Sequence, residues 1–128
     1  YTPAFVFASA NPQEENIDVN VADNNFDTRW SAEGEQWICQ QFGSEVKIDT
    51  VAVAVMNGTT RKSMFDIQIS NDGTNWTTVK SVTTSGTTND YEFYDIGGVS
   101  AKYVRLLGHG NSENGWNSIT EFAVLGKK

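Results

Sequence analysis

At 128 residues and a formal net charge of −7, the chain is long enough for one domain with a buried core and too acidic to favour nucleic acid. Its only adjacent basic pairs are Arg61-Lys62 and Lys127-Lys128, whereas phosphate neutralisation needs a basic face. No run of about 18 apolar residues exists to span a membrane as a helix, and no charged-then-apolar leader opens the chain, so any secretion signal is expected to lie outside this sequence.

Phe5-Val6-Phe7-Ala8 reads as a first strand. A polar, irregular stretch follows as far as Trp30. Residues 37–42 form the next apolar run and hold Cys39, the single cysteine, which cannot form an internal disulfide and reads as a small buried thiol. Val51, Val53 and Val55 alternate with Ala52, Ala54 and Met56, the pattern of a strand covered on both faces. After the turn Asn57-Gly58-Thr59-Thr60, Phe65, Ile67 and Ile69 alternate with Asp66, Gln68 and Ser70, so one face points inward. Asn71-Asp72-Gly73 tolerates the positive φ of a tight hairpin, and Trp76 is expected to restart the chain against the core.

Further strands are expected at 76–82, 91–96, 102–107 and 119–125, separated by polar turns at 85–90, at Gly97-Gly98 and at 108–117. No segment carries a sustained 3.6-residue apolar stripe. About eight strands without helices predict an all-β sandwich or jelly roll in one domain over residues 1–128. Trp30, Trp37 and Trp76 are assigned to its core. Residues 1–3 and Lys127-Lys128 are expected to fray.

Three loops carry candidate chemistry. Residues 20–30 crowd Asp23, Asn24, Asn25, Asp27 and Thr28 together, with Glu121 available to complete an oxygen cage. Calcium takes six to eight oxygens at about 2.3–2.6 Å from carboxylates, carbonyls and hydroxyls. The helix-loop-helix calcium spacing is absent. A loop held by Asx turns is the alternative. Residues 57–63 place Arg61 and Lys62 in an otherwise neutral turn, which also reads as a solvated one. Residues 109–117 carry the only histidine, His109, with Asn111 and Trp116 in a Gly/Asn-rich loop, where Trp116 also suits a cap on the sandwich end. An aromatic beside a few fixed polar groups is what a shallow sugar site requires. An enzyme is not indicated: one His and one Cys without a partner base make no nucleophilic triad, and none of the sixteen acids sits in a glycosidase motif.

Taken in order, the blocks Ala8-Ser9-Ala10, Asp27-Thr28-Arg29-Trp30, Trp37-Ile38, Ile48-Asp49-Thr50-Val51, Phe65 to Ser70, Asp72 to Trp76, Ala101 to Leu106 and Ser118-Ile119-Thr120-Glu121 give the chain its resemblance to discoidin, or coagulation-factor type C, domains. Within that group it most resembles bacterial family-32 carbohydrate-binding modules. The resemblance implies an eight-stranded jelly-roll β-sandwich with one structural calcium. The side chains of Asp23, Thr28 and Glu121 would hold that ion, with the carbonyls of Asn20, Asn25, Thr28 and Thr120.

It also implies sugar binding at one end of the sandwich, with Asn57, Arg61, Lys62, His109, Asn111 and Trp116 as candidates. Galactose binders of the family often carry a His where this chain has Met56, which turns the expectation away from plain galactose. The loops look closest to modules attached to alginate lyases, and an Arg fork suits a uronate carboxylate. The expectation is therefore a secreted, monomeric, non-catalytic module that targets a linked catalytic domain to alginate or another uronate glycan. Galactose or N-acetylgalactosamine binding, and protein or cell-surface adhesion, are the alternatives. Membrane insertion is disfavoured by loop tips of Asn, Gly, Ser and Thr.

Overall fold

The computed structural model describes residues 1–126, so the expected fraying of Lys127-Lys128 lies outside the described residues. The elements are β1 (Phe5–Ala8), a 3-10 turn (Asp18–Ala22), β2 (Trp30–Glu33), β3 (Trp37–Val55), β4 (Ser63–Ser70), β5 (Thr77–Thr83), β6 (Glu92–Asn111) and β7 (Trp116–Leu125). All strand pairs are antiparallel.

Two strands serve both layers of the sandwich. The first part of β3 pairs with β1 on one side and with the 103–107 part of β6 on the other, and β6 continues to β4 and β5. The last part of β3 pairs with the 92–95 part of β6 and with β7, which carries β2 at its edge. Between these halves the β3–β6 register slips at Gln41/Val46 and again at Ile48/Thr50. Bulges of this kind bend a strand and let it turn the corner from one layer to the other. Gly97 and Gly98 supply the matching bend in β6 with φ of 80° and 74°.

The strands expected at 37–42 and 51–56 are therefore the two ends of β3, and those at 91–96 and 102–107 the two ends of β6. The Gly97-Gly98 segment kinks a strand instead of ending one. β6 also runs on to Asn111, so the turn expected over 108–117 shrinks to residues 112–115. One strand, β2, was not expected, and among the described residues one short 3-10 turn is the sole helical element.

Alternation places Val51, Val53, Val55, Phe65, Ile67, Val104, Leu106, Ile119 and Phe122 between the layers, with Trp30 and Val21 closing one end. Ala52 and Ala54 on the opposite face of β3 are buried too, as expected for a strand covered on both sides. Each large side chain fully buried here contributes about 1.5–3 kcal/mol.

Trp30 is core, but Trp37 and Trp76 are not. They are half-buried on the outer face of the β3–β6–β4 layer, where the Arg105 guanidinium lies 4.0 Å from the Trp76 ring centre and 5.6 Å from that of Trp37. Arg105 Nε donates to Gln68 Oε1 at 2.6 Å. Its register partner Cys39 is fully buried beneath it, and that burial pushes the thiol up to about 12, against the pull of the Arg105 charge. Residues 1–3 do not fray either. Tyr1 donates from its backbone nitrogen to Val124 O (2.9 Å) and from its hydroxyl to Lys47 O (2.8 Å), with its ring edge-on to Phe42.

Candidate functional site

The polar segment before β2 is held by its own side chains. Val21 pins the 3-10 turn to the core. Asn20 Nδ2 donates to the carbonyls of Glu15 (2.8 Å) and Arg29 (3.0 Å), closing the loop at its base. Asn24 takes a left-handed conformation with φ 57°. Asp23 Oδ1 accepts from Asn25 N at 2.9 Å, and Asn25 Oδ1 from Asp27 N at 2.9 Å. The Thr28 hydroxyl meets the Asp23 carboxylate and lies 3.1 Å from Asn25 O.

Against this loop stands Glu121 of β7, 2% exposed, with Oε2 buried and unpartnered; the neighbouring Thr120 hydroxyl is likewise buried without a partner. Burial pushes the Glu121 carboxyl up to about 7. The charge of Asp23 adds to the rise, while the amides of Asn24 and Asp23 and the Tyr91 hydroxyl oppose it. Among the described residues, no three His, Cys, Asp or Glu side chains gather as a metal cluster. Any cage here consists of two carboxylates, one hydroxyl and backbone carbonyls. That donor set is all oxygen, and an orphaned buried carboxylate oxygen facing a like charge fits a hard cation.

A second feature begins where this loop ends, at Arg29. A shallow cleft of about 220 Å³ is lined by Gln13, Arg29, Ser31, Met56, Arg61, Asn114, Trp116 and Ser118. Arg61 reaches it from the turn that follows β3, where Asn57, at φ 55°, accepts from Thr60 N (3.0 Å) and Arg61 N (3.1 Å) through its carbonyl. Arg61 Nε is buried without a partner. Trp116 arrives from the turn 112–115, and Asn111 builds that turn. Its Oδ1 accepts from Glu113 N (2.9 Å) and Asn114 N (3.0 Å), and its Nδ2 donates to Asn114 Oδ1 and Trp116 O, both at 2.8 Å.

Of the expected ligand residues, Arg61 and Trp116 thus meet in one cleft. Asn111 is 6% exposed and engaged within its own loop. Lys62 is tied through its backbone to Ser112, with bonds of 2.9 and 2.8 Å, and its stem lies against Gly86. His109 stands elsewhere, on the outer face of the β4–β6 pair, with Nε2 2.9 Å from Asp66 Oδ2. There burial tends to raise the Asp66 carboxyl, and the hydrogen bonds from His109 and Ser81 with the His109 charge outweigh it, leaving Asp66 below its ordinary value.

Sequence reading missed Arg29, Gln13 and Asn114. For Arg29 a signal existed: it is a lone basic residue between the oxygen-rich loop and β2, which begins at Trp30.

The F5/8 type C domain family matches residues 7–122. No curated protein sequence matches the chain significantly. Among solved structures, the CBM32 of AlyQ in complex with 4,5-unsaturated mannuronic acid is 41% identical, with a TM-score of 0.94, and the match covers 99% of this chain and 98% of that one. A pectin-binding carbohydrate-binding module is 32% identical over 99% of this chain and 93% of its own, with a TM-score of 0.92. Truncated AlyQ with CBM32 and alginate lyase domains is 40% identical at a TM-score of 0.90, and this chain spans 34% of its length. The chain belongs to the F5/8 type C, or discoidin, domain family and, within it, to the non-catalytic family-32 carbohydrate-binding modules.

Proposed function

We propose that this carbohydrate-binding module recognises uronate-containing glycans of the alginate type, and that it does so in the cleft where Arg29 and Arg61 flank Trp116. That grouping is the observation that carries the reading: two arginines and one aromatic line a single cleft in a chain of net charge −7. A sugar ring can stack on the indole of Trp116 while a guanidinium takes its carboxylate in two parallel bonds. Gln13 and Asn114 also line the cleft; their side-chain oxygens accept from Asn16 and Asn111, which leaves their amide nitrogens for ring hydroxyls. Similarity to the module bound to 4,5-unsaturated mannuronic acid and to the pectin-binding module supports a uronate over a neutral hexose.

The cation loop leads directly into the cleft, since Thr28 precedes Arg29. Asp23, Thr28 and Glu121, with the carbonyls of Asn20, Asn25, Thr28 and Thr120, would hold one calcium ion. When bound, it neutralises the two carboxylates and ties the segment before β2 to the last strand. The Asn20 and Asn25 hydrogen bonds already fold the loop toward that shape. In the whole protein the module is expected to be secreted, linked to a catalytic domain, and to act by raising that domain's local concentration on polysaccharide.

Titrating the module with unsaturated mannuronate oligomers, polygalacturonate and galactose, and following Trp fluorescence, tests the ligand. The uronates should bind and galactose should not. Arg61→Ala should weaken uronate binding by on the order of tenfold or more, the loss of a charged hydrogen-bond pair. His109→Ala should leave it unchanged. Galactose binding with indifference to uronates would replace this reading by the neutral-sugar one.

A further inference from the structure

We propose that Ser31 and Ser118 are positioning residues that lock the Arg29 guanidinium in the orientation that receives a carboxylate, an inference that rests on the uronate reading of the cleft. The two serines are register partners on β2 and β7, 1% and 6% exposed, and both line the cleft. Arg29 Nε lies 3.0 Å from Ser31 Oγ, and Ser31 Oγ lies 3.0 Å from Ser118 Oγ. A guanidinium N–H can only donate. Ser31 Oγ must therefore accept from Arg29, and in the structure it donates its own proton to Ser118 Oγ. A hydroxyl that is engaged on both sides is held in place beneath the guanidinium.

The backbone is held as firmly as the side chain. Asn20 Nδ2 donates to Arg29 O at 3.0 Å, and Ser31 N donates to Asn16 O at 3.1 Å. Among the described residues, Nε is the one guanidinium nitrogen of Arg29 that finds a partner. Its two terminal nitrogens stay side by side and unengaged, the pair that accepts a carboxylate in parallel bonds. An unbraced Arg loses rotamer freedom when the ligand arrives; here the relay removes that freedom at folding, which is preorganisation. Ser31 and Ser118 thus act on specificity without touching sugar.

The test compares a 4,5-unsaturated mannuronate oligomer with its methyl ester, which keeps the ring and removes the charge. Ser31→Ala should weaken acid binding on the order of fivefold, the scale of one lost hydrogen bond, and leave ester binding unchanged. Arg29→Ala should narrow the gap between acid and ester to the part that Arg61 supplies, and adding Ser31→Ala to it should cause no further loss. By NMR, the Arg29 Nε–H should exchange slowly with solvent in the parent and quickly in Ser31→Ala. Ser118→Ala should show the same acid-selective loss at smaller size and provides the reading if Ser31→Ala does not fold. Equal weakening of acid and ester, or a Ser31→Ala protein that keeps both Nε–H protection and acid affinity, would overturn the relay. A parent protein that binds acid and ester alike would instead overturn the uronate reading, and the relay then stands or falls on the exchange measurement alone.

Discussion

Glu121 has one carboxylate oxygen buried and unpartnered, faces the charge of Asp23, and shows a folded-state value of about 7 against an ordinary 4.5. For an acid whose folded value is raised, the associated stability is full below the unfolded value and is lost as pH rises through the folded one. In a chelated sample the melting temperature should therefore fall as pH is raised from about 4.5 to about 7. Glu121→Gln should remove that part of the slope and, at neutral pH in chelator, raise the melting temperature. With calcium saturating, the same substitution should lower it, because a ligand charge is gone. Parallel melting curves for the two proteins in chelator would sink the assignment of an uncompensated buried charge to this residue. One substitution with opposite signs in two buffers separates a cation ligand from an ordinary buried acid.

At the scale of elements, Asn117 joins three strands. Its Nδ2 donates to Ala32 O (3.0 Å) and Gly34 O (2.7 Å) at the end of β2, and its Oδ1 accepts from Gly110 N (2.8 Å) in β6. Gly108 is kept free of a side chain by the same carboxamide, which a Cβ there would strike. Asn117→Ala removes this partner from two buried backbone groups, Gly110 N and Ala32 O, while Gly34 O keeps its bond from Gln36 N; each buried group so deprived costs about 1–3 kcal/mol. Chemical denaturation should show a loss of roughly 2 kcal/mol or more, with a slope unchanged from the parent; a loss below about 1 kcal/mol would mean water or a loop shift replaces these bonds.

Junctions of this kind explain what could and could not be read from the chain. The all-β sandwich was legible because Val51, Val53, Val55 and Phe65, Ile67, Ile69 alternate in clear register with the core. Strand identity was not, since a bulge between Gln41 and Val46 has the composition of a turn yet continues the strand. Trp37 and Trp76 were misassigned because an aromatic can be sheltered by a stacked arginine from elsewhere in the chain as well as by core. In the proposed site, Arg61 and Trp116, which line one cleft, were singled out by residue type within loops. His109 and Asn111 have the same types, and only tertiary partners, Asp66 for one and the 112–115 turn for the other, separate them from the cleft. Arg29 escaped notice because its neighbours read as cation ligands.

For the molecule as a whole, the proposed cation bridges residues 23–28 and 121, nearly the full length of the chain, in a protein with no disulfide. A ligand that binds only the folded state stabilises it by RT ln(1 + [L]/Kd), about 2.7 kcal/mol at one hundred times Kd. For a domain of this size that corresponds to a rise of roughly 10 °C in melting temperature. The net charge of −7 adds to the effect, since a divalent cation relieves self-repulsion that the folded state concentrates. Excess EDTA should therefore lower the melting temperature by about that amount, and calcium should restore it. Magnesium at equal concentration should restore less, because it demands octahedral geometry at shorter distances than a loop of carbonyls and carboxylates supplies. Asp23→Ala should melt at one temperature whether EDTA or calcium is present. If the parent melts at one temperature whether EDTA or calcium is present, the loop is held by its Asx turns alone, and the orphaned oxygen of Glu121 must then find its partner in solvent.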